Sequence, residues 1–350
     1  NGNIGAGSFS AKVDFATGSN PNSVAVGDLD RDGKPELIVT NSVSNSVSVF
    51  RNTSTSGSIT SASFSAKVDF ATGERPISVG IGDLDSDGKP DLAVANFRSN
   101  SVSVLRNIGS AGGFTSGSFE VKVDYGTGSS PRSVVIGDLD RDSQLDLVVA
   151  NQGSNTLSIL HNFHFSGSFI ASSFEPKVDF VTGSTPLSVA IGNLDGDEWN
   201  DLVVTNSSSN TLSVLRNNGT GGFIDASSFA NKVDFATGTS PFSIAIGDLN
   251  GDGKPDLSVV NEDSNTVSIF RNTSSRGSIG VGSFAAKVDF STGFAPISIS
   301  IGDLDGDTKP DLAVANSSSF NVSILRNADI LPPVITSFTP LSAKPGNSVT

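Results

Sequence analysis

The chain has 350 residues and a formal net charge of −14, from 36 acidic and 22 basic residues. It has no basic stripe that could displace the counterions of a nucleic acid, which argues against a nucleic-acid partner. It also lacks cysteine, which excludes disulfides, thiol catalysis and zinc–thiolate sites. No stretch approaches the roughly 18 apolar residues of a membrane-spanning helix.

The first repeat unit of the chain predicts four short strands and no helix. A polar, Gly-rich connector (residues 1–8) precedes them. Alternating apolar and polar residues, or short apolar runs bounded by Gly, Pro, Asn and Ser, are typical of strands and turns. The predicted strands cover residues 8–15, 23–27, 37–40 and 46–51.

An acidic loop separates the second predicted strand from the third. It has acidic side chains at loop positions 1, 3, 5 and 9, from Asp28 to Glu36, and Gly33 at position 6. Carboxylates this close together repel one another unless a cation lies among them. Oxygen donors at alternate positions of a loop curled by glycine are the ligands that Ca²⁺ prefers, and the main-chain carbonyl of Lys34 would complete the set. The short loop and its flanking strands argue against an EF-hand.

The acidic loop returns every 55 residues, beginning again at residues 83, 138, 193, 248 and 303. Four strands in a fixed period of this size indicate the blades of a β-propeller. We therefore predict an all-β propeller of six four-stranded blades over residues 1–327. The N-terminal segment 8–15 would complete the last blade and close the ring. Seven blades, with one missing before residue 1, is the alternative.

The pattern stops after Asn327. Residues 328–350 contain an adjacent pair of prolines, which predicts an extended spacer, and residues 335–338 would begin a strand of a further domain. The chain contains no methionine, even at residue 1, which predicts a processed or excised fragment.

The repeat core at residues 81–92, IGDLDSDGKPDL, resembles the FG-GAP/VCBS repeats of integrin-like calcium-binding propellers. Such repeats also occur in bacterial secreted and cell-surface modular proteins and in some fungal lectins. The tail from Pro332 resembles the opening of an immunoglobulin-like IPT/TIG domain. The first resemblance implies about six structural Ca²⁺ ions, bound at loop positions 1, 3, 5, 7 (through the carbonyl) and 9. The implied ligands are Asp28, Asp30, Asp32, Lys34 and Glu36; Asp83, Asp85, Asp87, Lys89 and Asp91; Asp138, Asp140, Asp142, Gln144 and Asp146; Asn193, Asp195, Asp197, Trp199 and Asp201; Asp248, Asn250, Asp252, Lys254 and Asp256; Asp303, Asp305, Asp307, Lys309 and Asp311.

The loops depart from one another at position 6. Glycine there is replaced by Ser143, Glu198 and Thr308 in the third, fourth and sixth loops. If the position needs a positive φ, the β-branched Thr308 is the costliest of these residues. We expect the loops of Glu198 and Thr308 to bind Ca²⁺ most weakly.

Several repeated residues outside the loops are expected to be structural. The Asp of each KVD(F/Y) strand, such as Asp14, is expected to pair with the Arg that ends the fourth predicted strand, such as Arg51. The Phe series that begins at Phe9 is expected to form the core between blades. The Asn series that begins at Asn41 is explained by turn conformation.

Three unique side chains invite a functional interpretation. His161 replaces the Arg of its repeat and lies close to His164; surface packing is the favoured role for both histidines. Trp199 is a candidate for stacking on a sugar if it is exposed.

A calcium-rigidified structural or adhesive module of a secreted or cell-surface protein is the leading hypothesis for function. Ligand positions account for 22 of the 36 acids, so six Ca²⁺ ions would leave a net charge near −2. Because Ca²⁺ is millimolar outside cells, a protein with six calcium sites is expected to be extracellular. Expected partners are an extracellular glycan or protein, or another copy of the chain. A lectin-like module with sites between blades is the alternative. An enzyme is disfavoured because no set of nucleophile, base and orienting residue can be assembled.

Overall fold

The computed structural model describes residues 10–164 and 167–328 of the chain. These residues form six antiparallel sheets, so the six-blade propeller predicted from the sequence is confirmed. The predicted connector at residues 1–8 and the predicted IPT/TIG-like segment lie outside the described residues. Within the described residues, no helix has the length and apolar character needed to cross a membrane.

Each blade is a meander whose strands follow one another along the chain. Blades 1 to 3 contain β1 (Pro21–Gly27), β2 (Glu36–Asn41), β3 (Ser46–Phe50), β4 (Val68–Ala71); β5 (Pro76–Gly82), β6 (Asp91–Asn96), β7 (Ser101–Leu105), β8 (Val123–Gly126); β9 (Pro131–Gly137), β10 (Asp146–Asn151), β11 (Thr156–Leu160), β12 (Val178–Val181). Blades 4 to 6 contain β13 (Pro186–Gly192), β14 (Asp201–Asn206), β15 (Thr211–Leu215), β16 (Val233–Ala236); β17 (Pro241–Gly247), β18 (Asp256–Asn261), β19 (Thr266–Phe270), β20 (Val288–Ser291); β21 (Pro296–Gly302), β22 (Asp311–Asn316), β23 (Asn321–Leu325).

The core lies between successive blades. The second strand of a blade, such as β6, is buried along its whole length because neighbouring blades cover both of its faces. The first strands contact one another in sequence, from β1 to β5 to β9 and onward. Gly27 permits this approach, since a Cβ there would lie 2.9 Å from Ile81 of the next blade. The Phe series packs between blades as expected, with Phe119, Phe174, Phe229 and Phe284 buried; Phe9 lies outside the described residues.

The predicted closure of the last blade by residues 8–15 is not seen in the described residues. Residues 10–17 form no strand, and the sixth sheet has three strands. Phe15 instead packs on Phe64 of the first blade, with ring centroids 5.1 Å apart. The faces that closure would bury are not in contact, because Val24 of blade 1 and Val322 of blade 6 are 64% and 61% exposed.

A polar network crosses each complete blade, and it corrects two expectations. Asn41 is buried and donates from Nδ2 to Ser48 Oγ at 2.8 Å, so its role is a hydrogen-bond hub and not a left-handed turn. Ser48 donates in turn to Asp69, which is also paired with Lys67. The KVD(F/Y) aspartates of the blades therefore pair with Ser and Lys, and the expected Asp–Arg pairs are wrong.

A second asparagine series connects one blade to the next. Asn45 adopts a φ of 52° in the β2–β3 turn, and its Oδ1 accepts a hydrogen bond from the Arg75 main-chain N–H at 2.9 Å. The Oδ1 atoms of four further asparagines accept the same hydrogen bond from the next blade: Asn100, Asn155, Asn210 and Asn265. Asn tolerates this left-handed conformation, so it can serve as turn residue and acceptor at once.

Candidate metal centre

All six acidic loops connect the first strand of a blade to the second, so they lie at the same end of the blades. Position 6 has a positive φ in every loop, including Ser143 (74°), Glu198 (81°) and Thr308 (71°). Position 4 also has a positive φ in every loop, for example 55° at Arg31. Position 6 therefore needs a positive φ, as the sequence-based argument supposed. Position 4 also needs a positive φ, which was not predicted from the sequence.

The loop carboxylates converge in the way that a cation requires. Three carboxylate oxygens lie within 4.8 Å of one another in four loops. These sets are Asp28, Asp30 and Asp32; Asp83, Asp85 and Asp91; Asp138, Asp140 and Asp146; Asp303, Asp305 and Asp311. The fourth and fifth loops offer fewer carboxylates because Asn193 and Asn250 replace aspartate. Hard oxygen donors at this separation fit Ca²⁺.

The loop backbone holds its own carboxylates in place. Asp83 accepts hydrogen bonds from the main-chain N–H groups of Asp87 at 3.0 Å and Gly88 at 2.8 Å. These bonds fix the position of the Asp83 carboxylate within the loop. At position 7, the Gln144 side chain accepts a hydrogen bond from Ser86 Oγ of the preceding loop. The main-chain contributions at position 7 remain predictions.

The carboxylate at position 9 is buried in every loop. Asp91 is fully buried and accepts hydrogen bonds from the main-chain N–H groups of Leu84 at 2.9 Å and Asn107 at 2.7 Å. Burial outweighs these bonds and raises the pKa of Asp91 to about 7. The pKa of Asp201 is raised to about 7 for the same reason. A cation beside these groups would favour their ionised form.

An arginine neutralises part of the loop charge. Arg216 donates from Nε to Asp195 Oδ2 and from an Nη to Asp197 Oδ2, both at 2.7 Å. Arg51, Arg106 and Arg326 make the equivalent pairs in their own blades. The arginines that were expected to pair with the KVD(F/Y) aspartates therefore pair with the carboxylates at loop positions 3 and 5.

Two unique side chains differ from their expected placement. His161 is only 5% exposed and lies against the third loop, so surface packing is wrong for it. Trp199 is half-buried, with Arg141 lying over its ring and Gly219 against its edge. The ring is therefore occupied by contacts within the protein, which weakens its candidacy as a sugar platform.

Neighbouring loops are joined through a buried asparagine. Asn107 donates from Nδ2 to the Pro90 carbonyl of its own loop and to the Leu29 carbonyl of the preceding loop, at 3.0 and 2.8 Å. The same residue presents its main-chain N–H to Asp91. Asn162, Asn217, Asn272 and Asn327 repeat this connection. From the second loop onward, one asparagine therefore links the position-9 carboxylate to a main-chain carbonyl of the previous loop.

Replacing Thr308 with glycine is expected to raise the midpoint of thermal unfolding by about 2 °C. Glycine adopts the observed φ of 71° without the strain of a β-branched residue, a difference of about 1 kcal/mol. Differential scanning calorimetry provides the measurement. The matched reverse change is Gly33→Thr, at a position with a φ of 85° and no atom within 4 Å of a new Cβ. A neutral or stabilising effect of Gly33→Thr would contradict the argument.

The stability of the metal-free protein is expected to fall as the pH rises from about 5 to about 8. The pKa of Asp91 and Asp201 is about 7 in the folded protein and 3.8 in the reference state. Such groups favour folding below the lower value, and this contribution is lost as the pH passes the folded pKa. Thermal unfolding of protein stripped on a chelating resin tests this. With Ca²⁺ present the fall should disappear, and a metal-free midpoint that rises over this window contradicts the expectation.

Comparisons with known proteins agree with the repeat and the fold. A family model described as FG-GAP-like repeat matches residues 1–39, 31–94, 83–149, 138–204, 193–259 and 248–314. No curated protein matches the chain. Among solved structures, a functionally unknown protein from Desulfotomaculum acetoxidans DSM 771 is 12% identical with a TM-score of 0.55, covering 89% of this chain and 90% of that one. BBS1N in complex with ARL6DN is 14% identical with a TM-score of 0.53, covering 86% of this chain and 76% of that one. Polycomb Repressive Complex 2 of Chaetomium thermophilum bound to GSK126 is 12% identical with a TM-score of 0.55, covering 88% and 69%. At these identities the structural likeness shows the fold alone.

Proposed function

Since this chain belongs to the FG-GAP-like repeat family, we propose that it is a calcium-stabilised extracellular propeller. In this proposal it serves as a structural or adhesive module of a larger protein and has no catalytic role. Ca²⁺ would be held by the loop carboxylates, with Asn193 and Asn250 offering amide oxygens in their loops. The bound cation would supply the positive charge that lets these groups ionise together.

The hydrogen bonds between successive loops carry this proposal. Asn107 links the position-9 carboxylate of one loop to the Leu29 carbonyl of the previous loop, and both residues are buried. A cation that orders one loop therefore also orders its contact with the neighbouring blade. Six such loops would make rigidity of the whole blade array depend on Ca²⁺.

The extracellular location rests on the same chemistry. Exposed modules with carboxylate-rich sites of this kind are filled at the millimolar Ca²⁺ found outside cells. A rigid face of six loops at one end of the blades offers repeated equivalent contacts, which suit avidity for a polymeric or surface-bound partner.

Calcium stoichiometry tests the proposal. Isothermal titration of metal-free protein is expected to give about six bound ions per chain, one for each loop. Asp28→Ala removes one carboxylate of a convergent set and should remove one ion from the count. Absence of calcium binding, or an unchanged count in the variant, would contradict the assignment.

A lectin-like role is the second candidate, and a cavity beside the third blade favours it. The cavity has a volume of about 640 Å³ and is lined by Tyr125, Phe163, Phe174, Glu175 and Lys177. The exposed ring of Phe163 beside the charged groups of Glu175 and Lys177 suits a sugar ring. A glycan array run in millimolar Ca²⁺ and again in chelator tests this role. Binding to a defined sugar that Phe163→Ala abolishes would place the lectin role first, and a blank array with calcium-loaded protein would remove it.

A further inference from the structure

The third blade differs from its neighbours at one position beside the acidic loop. Arginine stands there in the other five repeats, and His161 stands there in the third. In blade 2 the equivalent Arg106 pairs with Asp85, Asp87 and Glu120. In blade 3 the imidazole Nε2 lies 2.9 Å from Asp140 Oδ2 and 3.6 Å from Asp142 Oδ2. A permanent cation has therefore been exchanged for a ring whose nitrogen can act as a metal ligand.

This cluster is buried and its polar atoms are not satisfied. His161 is 5% exposed and Asp140 is 1% exposed. Nε2 of His161 and Oδ2 of Asp140 lack a hydrogen-bond partner, because the 2.9 Å approach between these two atoms is poorly aligned for a hydrogen bond. Buried polar atoms without partners are costly and uncommon, so a ligand for them is the natural explanation.

The spacing of the three donors suits a small divalent ion. Ligand atoms about 2.0–2.2 Å from a tetrahedral ion lie roughly 3.3–3.6 Å apart. The two observed distances, 2.9 and 3.6 Å, are close to that range. The three side chains also meet as one group of donors within 4.8 Å of one another. We propose that His161, Asp140 and Asp142 bind a divalent transition-metal ion such as Zn²⁺. The other blades have arginine in place of His161 and would not bind this ion.

A third carboxylate lies on the other side of the imidazole ring. Glu175 Oε2 lies 3.4 Å from His161 Nδ1. A carboxylate at the far nitrogen of a metal-binding histidine fixes the tautomer and turns the other nitrogen toward the ion. Glu175 is therefore a positioning residue in this proposal.

The donor set separates this ion from the proposed calcium. Ca²⁺ takes oxygen ligands, whereas a nitrogen donor with two carboxylates favours zinc, cobalt or nickel. The loop-side oxygens are engaged elsewhere: Asp140 Oδ1 and Asp142 Oδ1 accept hydrogen bonds from the main-chain N–H groups of Asp142 and Gln144. The histidine meets the opposite oxygens, so the transition metal would bind Asp140 and Asp142 through Oδ2.

The test is a Co²⁺ titration, followed by Zn²⁺ competition, on metal-stripped, tag-free protein kept in saturating Ca²⁺. We expect one Co²⁺ per chain with the visible spectrum of nitrogen ligation. His161→Arg restores the residue of the other blades and should abolish this binding. Glu175→Gln should weaken Zn²⁺ binding by about 10- to 100-fold. His164→Gln, which alters the only other histidine, should leave it unchanged.

A gain-of-site variant gives the converse test. Arg106→His creates the same arrangement in blade 2, where Asp85, Asp87 and Glu120 occupy the equivalent positions. This variant should bind two Co²⁺ ions per chain. No Co²⁺ binding by the unmodified protein, retained binding in His161→Arg, or no second ion in Arg106→His would overturn the proposal. The calcium count of the same samples decides the calcium proposal separately.

Discussion

Removing divalent cations is expected to lower the midpoint of thermal unfolding by on the order of 20 °C. A site filled at about 100 times its Kd stabilises the folded state by about 2.7 kcal/mol, so six sites contribute roughly 16 kcal/mol. A chain of this size has an unfolding entropy near 0.7 kcal/mol per kelvin, which converts that free energy to the stated shift. Calorimetry in millimolar Ca²⁺ and in excess chelator at neutral pH measures it.

The structure indicates why the loss should spread beyond the loops. Asp91 and Leu29, in consecutive loops, are both hydrogen-bonded by Asn107. Repulsion among empty carboxylates in one loop would therefore loosen a contact between two blades. Asp28→Ala in the first loop serves as the control, since it should remove about one-sixth of the difference between the two conditions. An unchanged midpoint in chelator would contradict both the calcium assignment and this coupling.

The architecture was accessible from the sequence because the repeat is exact. A constant period with alternating strands places every second strand between two apolar faces, and the structure buries β6 and its equivalents accordingly. The ligand loops were accessible for the same reason. Alternate carboxylates around Gly33 predict a shared positive partner, and the structure brings these carboxylates together.

The ion pairs were not accessible from spacing alone. Arg51 lies 18 residues before Asp69 and 21 after Asp30, so separation along the chain does not distinguish the two partners. Strand register does: Asp69 lies opposite Ser48, while Arg51 follows the end of β3 and reaches the loop. One signal was available, because Lys67 and Asp69 are two residues apart in an alternating pattern, which predicts that they share a face. The burial of His161 follows from the same geometry and could have been found once Arg51 was assigned to the loop.

Ring closure was also beyond the sequence pattern. The pattern shows that residues 8–15 match an outer strand, and it cannot show which neighbour such a strand contacts. In the structure Phe15 contacts Phe64 of the first blade, while the sixth sheet has three strands within the described residues.

Asp91→Ala is expected to destabilise the protein by about 2–6 kcal/mol even without calcium. The carboxylate accepts hydrogen bonds from Leu84 and Asn107, and both donors are buried. Each buried N–H left without an acceptor costs about 1–3 kcal/mol. Urea unfolding of the metal-free variant and of the metal-free parent protein gives the difference, and calcium should widen it because the variant also loses a ligand.

Asp83→Asn is the matched contrast to Asp91→Ala, because it removes a proposed calcium ligand and keeps a hydrogen-bond acceptor. Asp83 is less buried, and an amide oxygen can still accept from Gly88 or Asp87. Its effect should therefore be small in chelator and appear mainly in Ca²⁺. If Asp91→Ala instead matched the parent protein in chelator, position 9 would be a ligand alone, and the bond from Asn107 would not couple the loops. A large metal-independent loss would mean that the same carboxylate both closes the loop and holds the next blade, which is the arrangement that lets a bound cation stiffen the whole fold.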